Sequence, residues 1–542
     1  MLEKLYASKS IANKYFDVAP NCVKYKPLLN LRLISLLVFS LTHVIFNKGI
    51  AQETTPSKPN IVIIISDDHA FQAIGAYGNK LIPTPNIDRL ANEGVRFDRA
   101  YVTNSICGPS RAVILTGKYS HVNGFKDNVT STFDHNQDNF AKHLQADGYQ
   151  TAWIGKLHLN GSLQGFSFYN VLPSQGQYYN PEFIGMDGKS IKKEGYVTNV
   201  IEDISEQWLD NRDTSKPFCL VIGHKATHRT WLPDTADMGR YDGINFPLPD
   251  NFYDDYNNRK AATVQDISID KTMVMAYDLK MLSFGNKDQG SIDRMNPAQR
   301  AKFDAYYGPI EADLKSRNLS GKALVEWKYQ RYMKDYYNTA ASLDRNIGRK
   351  LDYLDQHNLS RNTIVIYMSD QGFYLGEHGW FDKRFMYEES FRTPMLMRYP
   401  GVLKAGIQSK ELVMNLDIAP TLLDAAKLKV SSDMQGKSML PLFKEKKARG
   451  REAMFYHYYE NGEHAVSPHF GISTKRYKLI RFYKRVDSWE LYDLQKDPTE
   501  ENNIFGKKGY EKITVQLKIK LNQLIAEYKD EDARKILADD HK

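Results

Sequence analysis

Five consecutive β-branched apolar residues, Ile61 to Ile65, follow Pro59 and run into the acidic pair Asp67-Asp68. A run with no polar alternation is the pattern of a strand covered on both faces, so Asn60–Ser66 is expected as a central strand. Pro85 and Asn86 then open a short helix that ends near Gly94, and residues 95–102 return as a strand. The same order recurs along the chain. Helical periodicity over Phe140–Ala146 precedes an apolar run at 149–154, that over 197–211 precedes 218–222, and a long helical stretch at 324–358 precedes Thr363–Ser369. This alternation predicts an α/β fold with a large, mainly parallel sheet and helices on both of its faces.

In such sheets ligands gather beyond the carboxyl ends of the strands. Asp67, Asp68, His158, His224 and Asp370 all fall there. Residues 246–318 are rich in Asp, Asn, Tyr and Lys with weak periodicity, and read as an insertion of loops and short helices over the site. After about residue 430 the pattern shifts to short alternating strands at His469–Thr474, 477–483 and 488–492, followed by a helix at 513–528. That describes a small α+β subdomain with an antiparallel sheet. The expected organisation is therefore an amino-terminal extension and secretory signal at 1–51, a catalytic domain at 57–430 and a carboxyl-terminal α+β subdomain at 431–530.

Composition is that of a globular protein, with 42% hydrophobic and 25% charged residues in 542. The net charge is +8, but residues 1–51 hold seven Lys or Arg against two acids, and so account for five of those charges. What remains gives no bulk-charge argument for binding nucleic acid or a membrane. A basic stretch ending at Arg32, an apolar run at 33–46 and the small-residue site Gly49-Ile50-Ala51 read as a cleaved export signal. The chain is then secreted or periplasmic, with an uncleaved signal anchor as the alternative. Three cysteines, Cys22, Cys107 and Cys219, cannot build a disulfide framework. Cys219 sits in an apolar strand run, and a Cys107–Cys219 disulfide is the structural alternative.

Cys107-Gly108-Pro109-Ser110-Arg111 puts a cysteine at a loop-to-helix junction, where Pro109 suits the first helical turn. A helix amino terminus lowers a thiol pKa and gathers anions, so the residues read as an activated, anion-facing nucleophile. The competing reading is a small apolar residue in a capped turn. Asp67 and Asp68, with Asp370-Gln371 at the end of another strand, offer carboxylate and amide oxygens. Such oxygens select a hard cation, calcium or magnesium.

Cys107 to Arg111 with the following Thr116-Gly117, and the downstream stretch Gly148-Tyr149-Gln150-Thr151-Ala152-Trp153-Ile154-Gly155-Lys156-Leu157-His158, together resemble the two signatures of the formylglycine-dependent sulfatase family. Gly376-Glu377-His378-Gly379-Trp380-Phe381-Asp382-Lys383 resembles a third characteristic stretch. The resemblance implies an alkaline-phosphatase-like fold and sulfate ester hydrolysis on a sulfated glycan. It also implies oxidation of Cys107 to formylglycine by a maturation enzyme. One calcium ion, with magnesium as the alternative, would be held by Asp67, Asp68, Asp370, Gln371 and the modified Cys107; Gln371 departs from the commoner Asn or His. Arg111 would hold the nucleophile with support from Lys118, Lys156 and Lys383 would clamp sulfate, His158 would act as base and His228 as general acid. Residues 224–231, 249–256, 463–465 and 491–494 resemble the branch acting on N-acetylglucosamine 6-sulfate of mucin or glycosaminoglycan. Lys156, Lys383, His228, Trp231 and His464 would then touch the substrate, and Trp231 and Trp380 could stack on a sugar. Three alternatives remain open here: a sulfatase acting on another sulfated sugar or polysaccharide, a phosphatase or phosphodiesterase of the same superfamily, and an inactive glycan-binding protein.

Overall fold

The Ile61-to-Ile65 run forms the strand Asn60–Ser66, its apolar residues no more than 1% exposed, at the middle of a ten-stranded sheet. The structure is a computed structural model that describes residues 58–285, 290–445 and 448–540; the export signal expected at 1–51 and Cys22 lie outside them. Asn60–Ser66 pairs in parallel with Thr363–Ser369 on one side and Phe218–Gly223 on the other. Gln150–Lys156 and then Phe168–Leu172 continue the parallel order. On one side Met395–Arg398 runs antiparallel to Thr363–Ser369 and is followed by Val95–Phe97 and the edge strand Ile407–Ser409; on the other, the antiparallel pair Glu182–Gly185 and Ser190–Lys192 lies beyond Phe168–Leu172. The mainly parallel α/β architecture expected from the sequence is what the chain adopts.

Alternate residues of each central strand feed opposite layers. Val62, Ile64, Leu220 and Ile222 pack beneath the long helix Gly321–Gln356 and the helix Val197–Asp210. Ile61, Ile63, Cys219 and Val221 pack against the helices Cys107–Thr116 and Ile418–Ala425. Burial on both faces explains why these strands read as unbroken apolar runs.

Register carries the functional consequence. Ser66 pairs with Ser369, Ile65 and Gly155 both pair with Gly223, and Lys156 pairs with Leu172, so five strands end side by side. The residues just past those ends are Asp67 and Asp68, His158, His224 and Asp370.

A four-stranded antiparallel sheet, Ala453–Tyr458, His469–Thr474, Tyr477–Phe482 and Ser488–Asp493, packs with the helix Glu511–Tyr528. Three expectations need correction. The strand expected at 95–102 is two strands in different sheets, Val95–Phe97 in the large sheet and Ala100–Tyr101 paired with Val413–Met414. The insertion at 246–318 contains a 21-residue helix, Pro297–Arg317, opened by a reciprocal Asn296/Gln299 cap. The alternative disulfide does not exist, since Cys107 and Cys219 are both free and buried. Among the described residues no helix is long and apolar enough to cross a membrane.

Candidate active site

Cys107 is the first residue of the helix Cys107–Thr116, all ten residues of which are buried. Gly108 follows because a side chain there would strike Asn128 Oδ1 and the Phe125 ring, 2.5 and 2.6 Å from a built Cβ, with His158 O at 3.1 Å. The loop bearing His158 therefore closes directly over the helix start. Asp67 and Asp68 both reach the site because Asp68 turns into the left-handed region, φ 62°, just after the strand ends. His158 does the same at φ 58°. Backbone conformations of this kind in non-glycine residues cost roughly 1–3 kcal/mol each and cluster at functional sites.

Asp67, Asp68 and Asp370 each bring a carboxylate oxygen within 4.8 Å of the others, and Asp67, Cys107 and His228 form an overlapping group at the same separation. Lys156 Nζ bonds Asp67 Oδ2, and Lys383 Nζ lies 2.8 Å from Asp68 Oδ2. Arg111 donates from Nε to Asp370 Oδ2 at 2.9 Å and from Nη1 to the Lys156 carbonyl at 2.7 Å. Its Nη2 is buried without a partner among the described residues. Gln371 Nε2 lies 2.5 Å from Asp68 Oδ1 and 3.6 Å from Cys107 Sγ. His228 Nδ1 is 2.6 Å from the Arg229 carbonyl, and its Nε2 is 3.9 Å from Asp68 Oδ2.

Burial opposes ionisation of Asp67, but Lys156, His228, Arg111 and Lys383 together outweigh it and hold that carboxyl well below the usual range. Asp68 is pushed up to about 6 by burial, with Lys383 opposing and Asp67 adding. Burial and the Asp67 charge push Asp370 up to about 8, against Arg111. Each of the three carboxylates faces one cation, Lys156 on Asp67, Lys383 on Asp68 and Arg111 on Asp370. Asp67 Oδ1 and Gln371 Oε1 are buried without hydrogen-bond partners among the described residues. An all-oxygen set with two such atoms fits a hard cation, and calcium or magnesium would be held by Asp67, Asp68, Asp370 and Gln371.

Burial, followed by the Asp67 carboxylate, pushes the Cys107 thiol up. That direction runs against the expectation of a thiol activated by its helix terminus. Burial and then Lys156 hold His158 and His228 well below the usual imidazole range, so both rings start neutral.

Three further expectations fail on geometry. Lys118 was expected beside the nucleophile, but a ten-residue helix rises about 15 Å and Gly117, at φ 65°, reverses the chain at its far end. Lys118 faces Asp433 at 3.8 Å instead. Trp231 was expected to touch sugar, yet it is wholly buried against Tyr332, Phe373 and Phe381. Trp380 is likewise wholly buried, donating from Nε1 to Tyr256 Oη at 2.7 Å. His464, partly exposed, lies 3.5 Å from Asp382 Oδ2, beside Lys383. The sequence reading missed Gln175 and Lys225, which face Lys156 and the acidic cluster from the Phe168–Leu172 and Phe218–Gly223 strand ends. Lys225 directly precedes the Ala226-Thr227-His228 stretch, which was the available signal.

Comparison with known proteins gives one family. The family model described as "Sulfatase" matches residues 59–428, and "N-sulphoglucosamine sulphohydrolase, C-terminal" matches 376–527. An N-acetylglucosamine-6-O-sulfatase of Bacteroides thetaiotaomicron is 48% identical over 496 residues, 89% of this chain and 88% of that protein. An arylsulfatase of Clostridium perfringens is 29% identical over 520 residues, 86% and 94% of the two chains. A solved complex with D-glucosamine-2-N,6-O-disulfate, described as that protein's substrate, superposes with TM-score 0.85 at 48% identity, covering 88% of this chain and 99% of its own. The phosphonate monoester hydrolase of Agrobacterium radiobacter, at 21% identity and TM-score 0.65 over 87% and 96% of the chains, shares the fold.

Proposed function

The chain belongs to the sulfatase family and is a sulfuric ester hydrolase, and from that premise we propose that it removes 6-O-sulfate from N-acetylglucosamine or glucosamine residues of mucin or glycosaminoglycan. Cys107 is the residue we assign to oxidation to formylglycine by a maturation enzyme, and calcium, with magnesium as the alternative, is the ion we assign to the oxygen cluster. The observation that carries the mechanism is the crowding of Cys107, three carboxylates and two lysines at one set of strand ends. For the sugar, the support is 48% identity to an N-acetylglucosamine-6-O-sulfatase over most of both chains.

Once oxidised and hydrated, residue 107 would supply the nucleophilic oxygen, and a cation held by Asp67, Asp68, Asp370 and Gln371 would lend positive charge to the sulfate oxygens. The remaining steps belong to side chains of this chain. Arg111, already tied by Asp370 and the Lys156 carbonyl, has Nη2 left to orient the nucleophile. Lys156 and Lys383 are the ammonium groups available to the equatorial sulfate oxygens, where charge develops in the transition state. His158, neutral with Nδ1 unpartnered, is suited to accept a proton at residue 107. His228 keeps Nδ1 on the Arg229 carbonyl and so has Nε2 to carry the proton for the departing O6; the charge of a bound sulfate favours that protonation. Asp382 and His464, at the edge of the cluster, present polar groups to the sugar hydroxyls. Export through the signal at 1–51 would bring the enzyme to extracellular or periplasmic glycans.

A panel of monosaccharide sulfates tests the assignment. Sulfate should be released from N-acetylglucosamine 6-sulfate at least tenfold faster, by kcat/KM, than from the 3-sulfate or from N-acetylgalactosamine 4-sulfate. Equal rates on all three would refute the 6-O assignment.

A further inference from the structure

The loop after Phe168–Leu172 was not singled out by any motif, yet it touches three groups of the site. Lys156 pairs with Leu172 in the parallel register, so the chain three residues later lies beside the Lys156 side chain. There Gln175 Oε1 accepts from Lys156 Nζ at 2.5 Å. The backbone carbonyl of the same residue accepts from Lys225 Nζ at 3.0 Å. Tyr178, wholly buried, donates from its hydroxyl to the His228 carbonyl at 2.5 Å, and its ring carries Lys225 Nζ at 5.0 Å from the centroid. The loop is held in a defined turn, with Ser174 at φ 50° and Gly176 at φ 66°, where a Cβ on Gly176 would lie 2.7 Å from Leu172 Cδ1.

Lys156 is otherwise drawn in one direction. Its ammonium already bonds Asp67 Oδ2, and both side chains are fully buried. An ammonium with a single anionic partner in a dry site would collapse onto that partner and leave the sulfate position. Gln175 supplies the second acceptor, a neutral one that fixes the ammonium without competing with sulfate for its charge. A carboxylate there would neutralise the clamp.

Resting on the sulfatase reading, we propose that Gln175 is a positioning residue for sulfate hydrolysis: its side-chain carbonyl holds Lys156 in place to receive the sulfate, while its loop fixes Lys225 and the backbone of His228. Gln175 acts through Lys156 and need not touch substrate.

The test is a double-mutant cycle on the matured, calcium-loaded enzyme, with wild-type turnover of N-acetylglucosamine 6-sulfate and an aryl sulfate measured alongside. Gln175→Met keeps the volume and removes the acceptor. Loss of a hydrogen bond to a charged group predicts a fall in kcat/KM of roughly 10- to 100-fold, with a melting temperature within about 2 °C of wild type. In a Lys156→Ala background the same substitution should change kcat/KM by less than about twofold. Wild-type-like kcat/KM for Gln175→Met, or a second full loss in the Lys156→Ala background, would overturn the proposal while leaving the sulfatase reading intact. Inactive wild-type enzyme with formylglycine in place would instead sink that reading. Should Gln175→Met melt lower, Gln175→Glu, which retains an acceptor of the same length, enters the same cycle. There the proposal requires that its effect also vanish when Lys156 is absent.

Discussion

Replacing Gly372 with alanine should disable the site without touching a single reactive atom. Gly372 follows Asp370-Gln371, the pair we assign to the cation, and its amide bonds the Ser390 carbonyl at 3.0 Å. A Cβ built there falls inside van der Waals contact with the carbonyl oxygens of both Glu389 and Arg392. Both obstacles are backbone, in a segment whose Phe391 and Arg392 are tied to Val102 and Tyr101 of a neighbouring strand, so neither can swing aside as a side chain would. Restoring an ordinary separation requires the chain at 372 to retreat by about 1 Å, the scale at which overpacking costs about 1–3 kcal/mol. In a domain of this size that lowers the melting temperature by only about 1–3 °C. The same retreat moves Asp370 and Gln371 with it, and a 1 Å misplacement of catalytic groups can reduce rate about 100-fold. We therefore expect Gly372→Ala to fold, to lose about 100-fold in kcat/KM on N-acetylglucosamine 6-sulfate, and to need more calcium for half-maximal activity. Thermal melts and calcium titrations of activity check each part. Full activity at wild-type calcium would show that backbone approach at Gly372 does not set the ligand geometry.

Arg111 and Asp370 are both wholly buried, so Arg111→Met strands a buried carboxylate; a loss of about 3–5 kcal/mol is expected in denaturant unfolding with calcium chelated, and a smaller loss when calcium is present. Lys118→Ala should leave kcat/KM within about twofold of wild type, because that ammonium pairs with Asp433 at the far end of the helix; a fall above tenfold would return Lys118 to the catalytic set. Removing calcium with a chelator should abolish turnover and lower the melting temperature by a few degrees, since a ligand at about 100 times its Kd stabilises by about 2.7 kcal/mol; an unchanged melt and undiminished turnover would refute a bound cation.

The central strands were legible because burial on both faces leaves no polar residue at 61–65 or in Phe218–Gly223. The edge strands were not. Ser190–Lys192 is exposed at all three residues and too short to read, and the inner strand Phe168–Leu172 was also passed over, which concealed Gln175. The helix Pro297–Arg317 buries only Phe303, Tyr307 and Leu314, too thin a stripe to read, although Asn296, Pro297 and Gln299 spelled its cap. Asp67, Asp68 and Asp370 could be grouped from sequence because each follows a strand and the register aligns those ends, whereas Cys107, at a helix start, joined them only through the family resemblance. Lys118 and Trp231 were misread for a related reason: proximity along the chain says nothing about which end of a helix or which side of a turn a residue occupies. The upward push on the thiol was also beyond a local reading, because it comes first from burial in the folded site and then from Asp67, forty residues away in sequence.

Mass spectrometry of the peptide containing residue 107, on protein from a maturation-competent host whose sulfate release from N-acetylglucosamine 6-sulfate is measured in parallel, tests the central claim most directly. The account predicts formylglycine at 107 in proportion to activity, and no activity in Cys107→Ala. An intact thiol in fully active enzyme, or full activity in Cys107→Ala, would contradict it.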